Sequence, residues 1–283
     1  MKKLLIAVTA LAITAGLVSI SSAAELKGSL KIAGSTTVLP LSQVWAEDFM
    51  ANHPGISISV SGGGSGTGLS MLLNGSCDVA NASRAAKTKE IDAAKARNSK
   101  MVATKLAKDG LAIVVNSDNN VKNMTMDQLN AVYSGRTSNW KDLGGDNSKM
   151  VVIGRDSSSG TYGFFQEVVL GGRAYRSDML SMASNAAIAQ AVAQSKDAIG
   201  YVGIAYAKKL VDSGKARILT VSLKKGQPGI ACSDENIANG KYPLFRYLFA
   251  YTLGKPSGIA GEFMKYCTGP GQAKVHKSGY LPL

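Results

Sequence analysis

The chain has 283 residues, of which 45% are hydrophobic and 18% charged, and its formal net charge at pH 7 is +13. This length allows one large domain or two smaller domains with separate cores, and the excess of Lys and Arg favours an anionic partner. Nucleic acid is disfavoured, because the cations come singly or in pairs such as Lys208-Lys209, with no basic run and no interleaved aromatic residues.

The first 24 residues, MKKLLIAVTALAITAGLVSISSAA, have the layout of a secretory signal peptide, with Lys2 and Lys3 before an apolar stretch and small residues at the end. The apolar stretch of about 15 residues is shorter than the roughly 20 that span a bilayer. We therefore predict cleavage after Ala24 and export to the periplasm. The remaining 259 residues have a net charge of +11, because Lys2 and Lys3 are lost with the signal.

Short strand-like runs alternate with helical stretches along the rest of the chain. Strands are predicted at 30–35, 56–63, 111–117, 150–156 and 198–203, and helices around Trp45 and Phe49 and at 68–75, 124–135 and 185–195. Thr125 is the expected N-cap of the third helix, and Gly135 its end. The continuous apolar run LAIVVNS (111–117) is typical of a strand buried on both faces. The alternation predicts an α/β fold with mainly parallel sheets.

Glycine and hydroxyl residues recur where predicted strands pass into helices. The segments are AGSTTVLP (33–40), SGGGSGTG (61–68), GRDSSSGTYG (154–163) and the plainer DVANASRAAKTKE (78–90). The carboxyl ends of parallel strands meet at one crevice, and the helices that follow present unpaired N–H groups there. Helix capping explains any one of these segments. Four together, two of them with an arginine, predict an anion-binding site.

Catalytic machinery is not recognisable in the sequence. Ser65 and Ser159 lack the Gly-x-Ser-x-Gly pattern of a serine hydrolase, and His53 and His276 lie far from both in sequence. No glycine-rich loop ends in Gly-Lys-Ser/Thr. We therefore interpret the serines as hydrogen-bond donors and Arg155 as a fixed positive charge that can bind two oxyanion oxygens.

No metal or cofactor is expected, because the cysteines form no Cys-x-x-Cys pair and no cluster has metal-ligand spacing. The chain has three cysteines in a compartment that tolerates disulfides. A Cys232–Cys267 bridge, with Cys77 as the remaining thiol, is left open.

A series of motifs runs from about residue 30 to the end of the sequence: GSTTVLP, GGGSGTG, ASRAAK, KDGLAIVVN, NMTMDQLNAVYSGRTSNW, GRDSSSGTYGFF, AIGYVG, KYPLFRYLFAYT and KSGYLPL. In this order the motifs resemble the periplasmic phosphate-binding proteins of the phosphate-specific ABC transporter. The resemblance implies two α/β lobes joined by a two-crossover hinge, with inorganic phosphate bound in the cleft between them. It also implies a monomer that delivers phosphate to a membrane permease driven by an ATPase, and a link to phosphate starvation.

The resemblance also implies the ligand-binding residues, which are Thr36, Thr37, Ser65, Arg155, Ser159, Gly160 and Thr161. Ser83 stands where the best-known branch of the family has an aspartate that accepts the proton carried by phosphate, and Arg84 follows it. Arg84 either points into the cleft as a second cation or braces the cleft rim against a carboxylate, and we expect the cleft contact. Asp156 is expected to orient Arg155 or to lie in solvent.

The predicted lobes are 25–114 together with 222–283, and 115–221, with crossovers at LAIVVNS and at RILTVSL (217–223). The predicted function is non-enzymatic binding of phosphate for import. Another oxyanion, such as sulfate, tungstate or a phosphonate, is the alternative among binding proteins. A secreted phosphatase and an adhesion or scaffold protein are the alternatives of other classes.

Overall fold

The computed structural model describes residues 26–283, so the predicted signal peptide and its cleavage site after Ala24 lie outside the described residues. Within residues 26–283, no helix is both long and apolar enough to cross a membrane.

Strands and helices alternate through most of this range. The strands are β1 Gly28–Gly34, β2 Ile56–Gly63, β3 Val79–Ala82, β4 Met101–Asn116, β5 Asn123–Thr125, β6 Val151–Arg155, β7 Leu180–Met182, β8 Ala198–Gly203, β9 Ala216–Ile218, β10 Thr220–Ser222 and β11 Phe245–Leu253. The α-helices are α1 Leu39–Asn52, α2 Ser65–Leu73, α3 Thr88–Lys95, α4 Met126–Tyr133, α5 Gly160–Val168, α6 Asn185–Gln194, α7 Ile204–Asp212, α8 Asp234–Ala238 and α9 Gly258–Thr268. Short 3₁₀ turns span Trp140–Leu143, Pro270–Lys274 and His276–Ser278.

Local sequence rules account for the helix ends nearest the predicted motifs. Thr125 caps α4 as predicted: its hydroxyl accepts from Gln128 N at 3.1 Å, and Gln128 Oε1 accepts from Thr125 N at 2.8 Å. The helix ends two residues before Gly135, whose φ of +87° lies in the left-handed region that glycine tolerates. The predicted strand at 56–63 coincides with β2, and the helix around Trp45 with α1.

A nine-stranded sheet runs through the molecule in the order β2-β1-β3-β11-β4-β8-β6-β7, with β9 also paired to β4. The 16-residue strand β4 belongs to both halves, since its residues 101–110 pair with β11 and its residues 111–115 pair with β8. LAIVVNS is therefore the second half of a longer strand, and it is buried as predicted.

The prediction of mainly parallel sheets is only half right. The pairs β1–β2, β1–β3, β6–β7 and β6–β8 are parallel, as is β5–β10, which forms a separate two-stranded sheet. The central pairs β3–β11, β11–β4, β4–β8 and β4–β9 are antiparallel. The reason is topological: β4 carries the chain from one half of the sheet to the other, and β11 enters between β3 and β4 from the C-terminal segment.

All three cysteines are buried free thiols, so the Cys232–Cys267 bridge is absent. The two side chains face different neighbours: Cys232 lies against Gly110 of β4 and Tyr242, whereas Cys267 is on α9. Burial raises the pKa of Cys77 to about 11, which keeps this thiol protonated and unreactive near neutral pH.

Candidate functional site

All four predicted segments are strand-to-helix junctions. Residues 33–40 join β1 to α1, residues 61–68 join β2 to α2, residues 78–90 join β3 to α3, and residues 154–163 join β6 to α5. The first three belong to one end of the sheet and the fourth to the other end, on the far side of β4. The junctions nevertheless meet in space, as the hydrogen bonds between their side chains show.

Five hydroxyls and one guanidinium from these junctions form a buried group, which we call the donor cluster. Its members are Thr36, Thr37, Ser65, Ser83, Arg155 and Thr161, and each is at most 6% exposed. Thr37 Oγ1 lies 3.1 Å from Thr161 Oγ1, which lies 3.4 Å from Ser83 Oγ, and Ser83 Oγ lies 3.5 Å from Ser65 Oγ. Arg155 Nη1 donates to Thr36 Oγ1 at 2.8 Å.

Glycines permit the close approach of these segments. A Cβ on Gly160 would lie 2.1 Å from Ser65 Oγ and 2.8 Å from Ser83 Oγ, so no side chain fits there. Gly64 has a φ of +107° and precedes the first residue of α2, and Gly66 N donates to Ser158 O at 2.8 Å.

Ser159 differs from the other predicted site residues, because its hydroxyl caps helix α5. Ser159 Oγ accepts from Thr161 N at 3.1 Å and from Tyr162 N at 3.3 Å. Among the described residues, no hydrogen bond links the Ser159 hydroxyl directly to a hydroxyl of the donor cluster. Its effect is to hold the start of α5, and with it Thr161, in position.

Arg155 is held in place by backbone groups. Its Nε donates to Met182 O and its Nη2 to Ala183 O, both at 2.9 Å, and the side chain is 1% exposed. Burial lowers the pKa of Arg155, while the carboxylate of Asp156, 3.7 Å away, acts in the opposite direction. The carbonyls of β7 and its following loop thus fix the guanidinium plane and leave further N–H groups on Nη1 and Nη2.

Asp156 approaches the donor cluster only at Arg155, where its Oδ2 lies 3.7 Å from Nη2. Its side chain is 40% exposed, and Oδ1 accepts from Ser158 N at 2.9 Å and from the Ser158 hydroxyl. It therefore shapes the junction after β6 and lies beside Arg155, which agrees with the predicted supporting role.

Arg84 is turned away from the donor cluster, contrary to the expected cleft contact. Its Nη1 and Nη2 form a two-pronged salt bridge with Glu90 of α3, at 2.8 and 2.7 Å. Nη1 also donates to Ala85 O at 2.8 Å. Because both ends of the guanidinium are occupied, Arg84 adopts the other arrangement considered from the sequence, in which it braces the rim. There it lines a groove of about 590 Å³ that reaches Arg246.

A second arginine, which sequence analysis missed, does reach the donor cluster. Arg246 of β11 donates from Nη1 to Thr161 Oγ1 at 3.0 Å and from Nη2 to Thr37 Oγ1 at 3.4 Å. Its Nε donates to Asp109 Oδ2 at 2.8 Å, and Asp109 Oδ1 accepts from Ile204 N at 3.1 Å. Burial raises the pKa of Asp109, and Arg246 and the Ile204 N–H oppose that rise.

Asn185, at the start of α6, was missed as well. Its Nδ2 donates to Thr36 Oγ1 and to Thr37 Oγ1, each at 3.1 Å, and its Oδ1 accepts from Gly203 N at 3.2 Å.

Two signals in the sequence point to the Asp109–Arg246 pair. Asp109 lies two positions before the buried apolar run that begins at Leu111. Arg246 occupies an inward position of an alternating aromatic strand, where an unpaired charge is costly.

Neither histidine can serve the donor cluster as a base. His53 stacks on Phe49, with ring centroids 4.2 Å apart, and His276 Nε2 lies 3.3 Å from Asp234 Oδ2. Within the described range, no group of three or more His, Cys, Asp or Glu side chains could hold a metal ion. The arrangement presents fixed donors and positive charge to a small anion.

Comparisons with known proteins show which proteins this chain is similar to. The model of the PBP superfamily domain matches residues 20–270. The phosphate-binding protein PstS of Bacillus subtilis (strain 168) is 35% identical over 258 residues, which cover 90% of this chain and 81% of the relative. PstS of Pseudomonas aeruginosa PAO1 is 32% identical over 290 residues, which cover 96% of this chain and 88% of the relative.

Solved structures show the same likeness. A phosphate ABC transporter substrate-binding protein from Clostridium perfringens, with bound phosphate, superimposes with a TM-score of 0.81 at 28% identity, covering 90% of this chain and 100% of that one. An ABC-type phosphate transport receptor from Vibrio cholerae gives 0.70 at 30% identity, with the same coverage. The predicted two-lobed α/β fold is thereby confirmed.

Proposed function

This chain belongs to the PBP superfamily and, within it, to the PstS phosphate-binding proteins, and on that premise we propose that it binds inorganic phosphate for import by a phosphate ABC transporter. The observation that carries the proposal is the donor cluster, in which hydroxyls from four junctions meet two buried arginines, Arg155 and Arg246. A tetrahedral dianion matches such a cluster, because each of its oxygens accepts several hydrogen bonds and Arg155 supplies charge.

Hydrogen bonds of ordinary strength are sufficient for tight binding. A dissociation constant of about 1 μM corresponds to roughly −8 kcal/mol, and a hydrogen bond to a charged group contributes about 1.5–3 kcal/mol net. A few such bonds from the donor cluster reach that free energy, even after the cost of desolvating the anion. No proton transfer or covalent step is needed, which supports a receptor over an enzyme.

Binding is coupled to closure of two lobes, residues 25–114 with 222–283 and residues 115–221, with Ser159 and Gly160 at the contact face of the second. Hydrogen bonds from Arg155 to Thr36 and from Gly66 to Ser158 O cross between the two proposed lobes, as a closed cleft requires. The division is supported by β4, whose first half pairs with β11 and whose second half pairs with β8. The protein is exported, cleaved near Ala24, and acts in the periplasm as a monomer. Its partners are the permease and ATPase of the transporter.

The other functions have weaker support. A secreted phosphatase needs a nucleophile with a base or metal, and both histidines are engaged elsewhere in the described structure. Sulfate, tungstate or a phosphonate is also tetrahedral about its central atom, so anion identity is the point that an experiment must decide.

Calorimetric titration of the purified mature protein with phosphate, sulfate and tungstate tests the proposal. We expect phosphate to bind with a dissociation constant of about 1 μM or lower, and more tightly than the other two anions. Tighter binding of sulfate or tungstate contradicts the assignment of phosphate. Absence of binding to all three contradicts the receptor function itself.

A further inference from the structure

Two tyrosine hydroxyls donate to consecutive backbone carbonyls in the turn between β1 and α1. Tyr206 Oη donates to Thr36 O at 2.9 Å, and Tyr280 Oη donates to Thr37 O. A carbonyl can only accept, so each hydroxyl acts as the donor. Both tyrosines therefore hold the backbone of two predicted ligand-binding residues, although neither tyrosine belongs to the donor cluster.

The two carbonyls belong to the peptide units that carry the Thr37 and Val38 N–H groups. Because a trans peptide unit is planar, fixing its carbonyl also fixes the direction of its N–H. Thr37 N and Val38 N lie 3.2 and 3.4 Å from Ser35 Oγ, just before α1, where backbone N–H groups lack helical partners and the helix dipole favours negative charge. The tyrosines thus orient backbone donors at one of the four junctions of the site.

The two tyrosines come from different proposed lobes. Tyr280 lies in the C-terminal segment of the first lobe, which also contains Thr37, so its bond does not depend on closure of the cleft. Tyr206 lies on α7 in the second lobe, and its hydroxyl reaches across the cleft to Thr36 in the first lobe. The chemistry of the two bonds is the same, and only the bond of Tyr206 joins the lobes.

The Tyr206 bond is compatible with a bound anion. The Thr36 hydroxyl already accepts from Arg155 Nη1 at 2.8 Å and from Asn185 Nδ2 at 3.1 Å, both in the second lobe. Its carbonyl does not compete for the anion, because both are acceptors. Burial raises the pKa of Tyr206 to about 12, although the charge of Arg155 acts in the opposite direction, so the phenol keeps its proton at neutral pH.

We propose that Tyr206 is a positioning residue that joins the second lobe to the Thr36–Thr37 peptide unit when the cleft closes, and that it thereby slows the release of phosphate. The inference rests on the proposed function, since it assumes that phosphate binds at the donor cluster and that the lobes close over it. The bond forms after the anion has entered the cleft, so it affects dissociation and not association. Opening of the cleft breaks the bond, and the Tyr206 hydroxyl then bonds to water.

The test removes a single hydroxyl group in Tyr206→Phe, which keeps the aromatic ring. Phosphate affinity is measured by calorimetry on protein freed of phosphate, and the release rate by ³¹P exchange spectroscopy with phosphate in excess. The affinity should fall about 2- to 10-fold, the size expected for one neutral hydrogen bond. The release rate should rise by the same factor, while the association rate obtained from the two measurements should stay within about twofold of wild type.

Tyr280→Phe is the matched control, because it removes the same group from the neighbouring carbonyl without affecting a bond between the lobes. It should lower the melting temperature of the phosphate-free protein by a few degrees, since its bond is present whether the cleft is open or closed. Its phosphate affinity and release rate should stay within about twofold of wild type. Tyr206→Phe should show the opposite pattern, with an unchanged melting temperature in the absence of phosphate.

The outcomes separate the inference from the function on which it rests. A wild-type protein that does not bind phosphate contradicts the proposed function. A wild-type protein that binds phosphate, together with an unchanged release rate in Tyr206→Phe, contradicts the role of Tyr206 alone. Equally fast release from Tyr280→Phe also contradicts it, because the effect then comes from orienting the backbone and not from joining the lobes. An equal fall in the melting temperatures of the two phosphate-free variants contradicts it as well, because the Tyr206 bond is then present in the open cleft.

Discussion

Replacing Arg155 by alanine should weaken phosphate binding more than removing any single hydroxyl. The guanidinium uses Nε for Met182 O, Nη2 for Ala183 O and one Nη1 proton for Thr36. One N–H on each of Nη1 and Nη2 then remains for the anion. Two charge-assisted bonds at about 1.5–3 kcal/mol each amount to about 3–6 kcal/mol, or a loss of roughly 10²–10⁴ in affinity.

The same geometry predicts the result for a conservative change. Arg155→Lys keeps the charge, but an ammonium cannot bond to the carbonyls of Met182 and Ala183 and still present two donors to the anion. We expect it to recover part of the loss. Ser65→Ala removes one hydrogen bond to the charged anion and should cost roughly 10- to 100-fold, less than the two bonds of Arg155.

Calorimetric titration with phosphate measures these losses, and thermal unfolding of each variant shows whether the fold is retained. The alanine variant will be less stable, because two partly buried carbonyls lose their donor. An Arg155→Ala protein that is folded and binds within about threefold of wild type would refute the reasoning, since two bonds of the expected strength cannot then join Arg155 to the anion.

Three further predictions follow from residues around the donor cluster. Arg84→Ala should change phosphate affinity by less than about threefold but lower the melting temperature by a few degrees, because the guanidinium binds Glu90 and not the ligand. A large loss of affinity in calorimetry would mean that Arg84 contacts the ligand. Burial raises the pKa of Glu90, but the Arg84 and Lys87 N–H groups outweigh it and hold the pKa below its ordinary 4.5. Above pH 4.5 the Glu90 carboxylate therefore contributes stability, which is lost as pH falls through its pKa in the folded protein. Glu90→Gln should make the free energy of unfolding in urea fall less between about pH 5 and pH 3. An unchanged slope would contradict this role of Glu90. Gly160→Ala should reduce phosphate affinity by about 100-fold or more with little change in melting temperature. The reason is that its Cβ would lie 2.1 Å from Ser65 Oγ when the proposed lobes are closed. A phosphate affinity close to that of wild type would mean that the lobes do not close in this way.

The sequence predicts best where a feature depends on neighbouring residues. The cap at Thr125 and the glycine and hydroxyl junctions at 33–40 and 61–68 obey rules that operate within a few positions. The same applies to the β2 strand, whose alternation is visible in eight residues. Such local patterns are sufficient to locate most of the donor cluster.

Residues that reach the site from distant segments were missed. Arg246 is 137 residues from Asp109 and 85 from Thr161, and no local pattern records such a partner. Strand direction failed for a similar reason, since a continuous apolar run indicates burial but not the orientation of neighbouring strands. The rim position of Arg84 could have been predicted more easily, because its partner Glu90 is only six residues away and accepts from Lys87 N at the start of α3.

The place of β11 in the sheet determines when the fold can be completed. This strand comes from residues 245–253 but lies between β3 and β4, which are formed by residues 79–116. Until the last part of the chain has been synthesised, β3 and the first half of β4 each lack a neighbour that the native sheet requires. Such long-range pairing is slow to form, because a long loop must close first. Once β3 and β4 have formed, their facing edges therefore stay unpaired until residues 245–253 reach them, and an unpaired edge can pair with another chain.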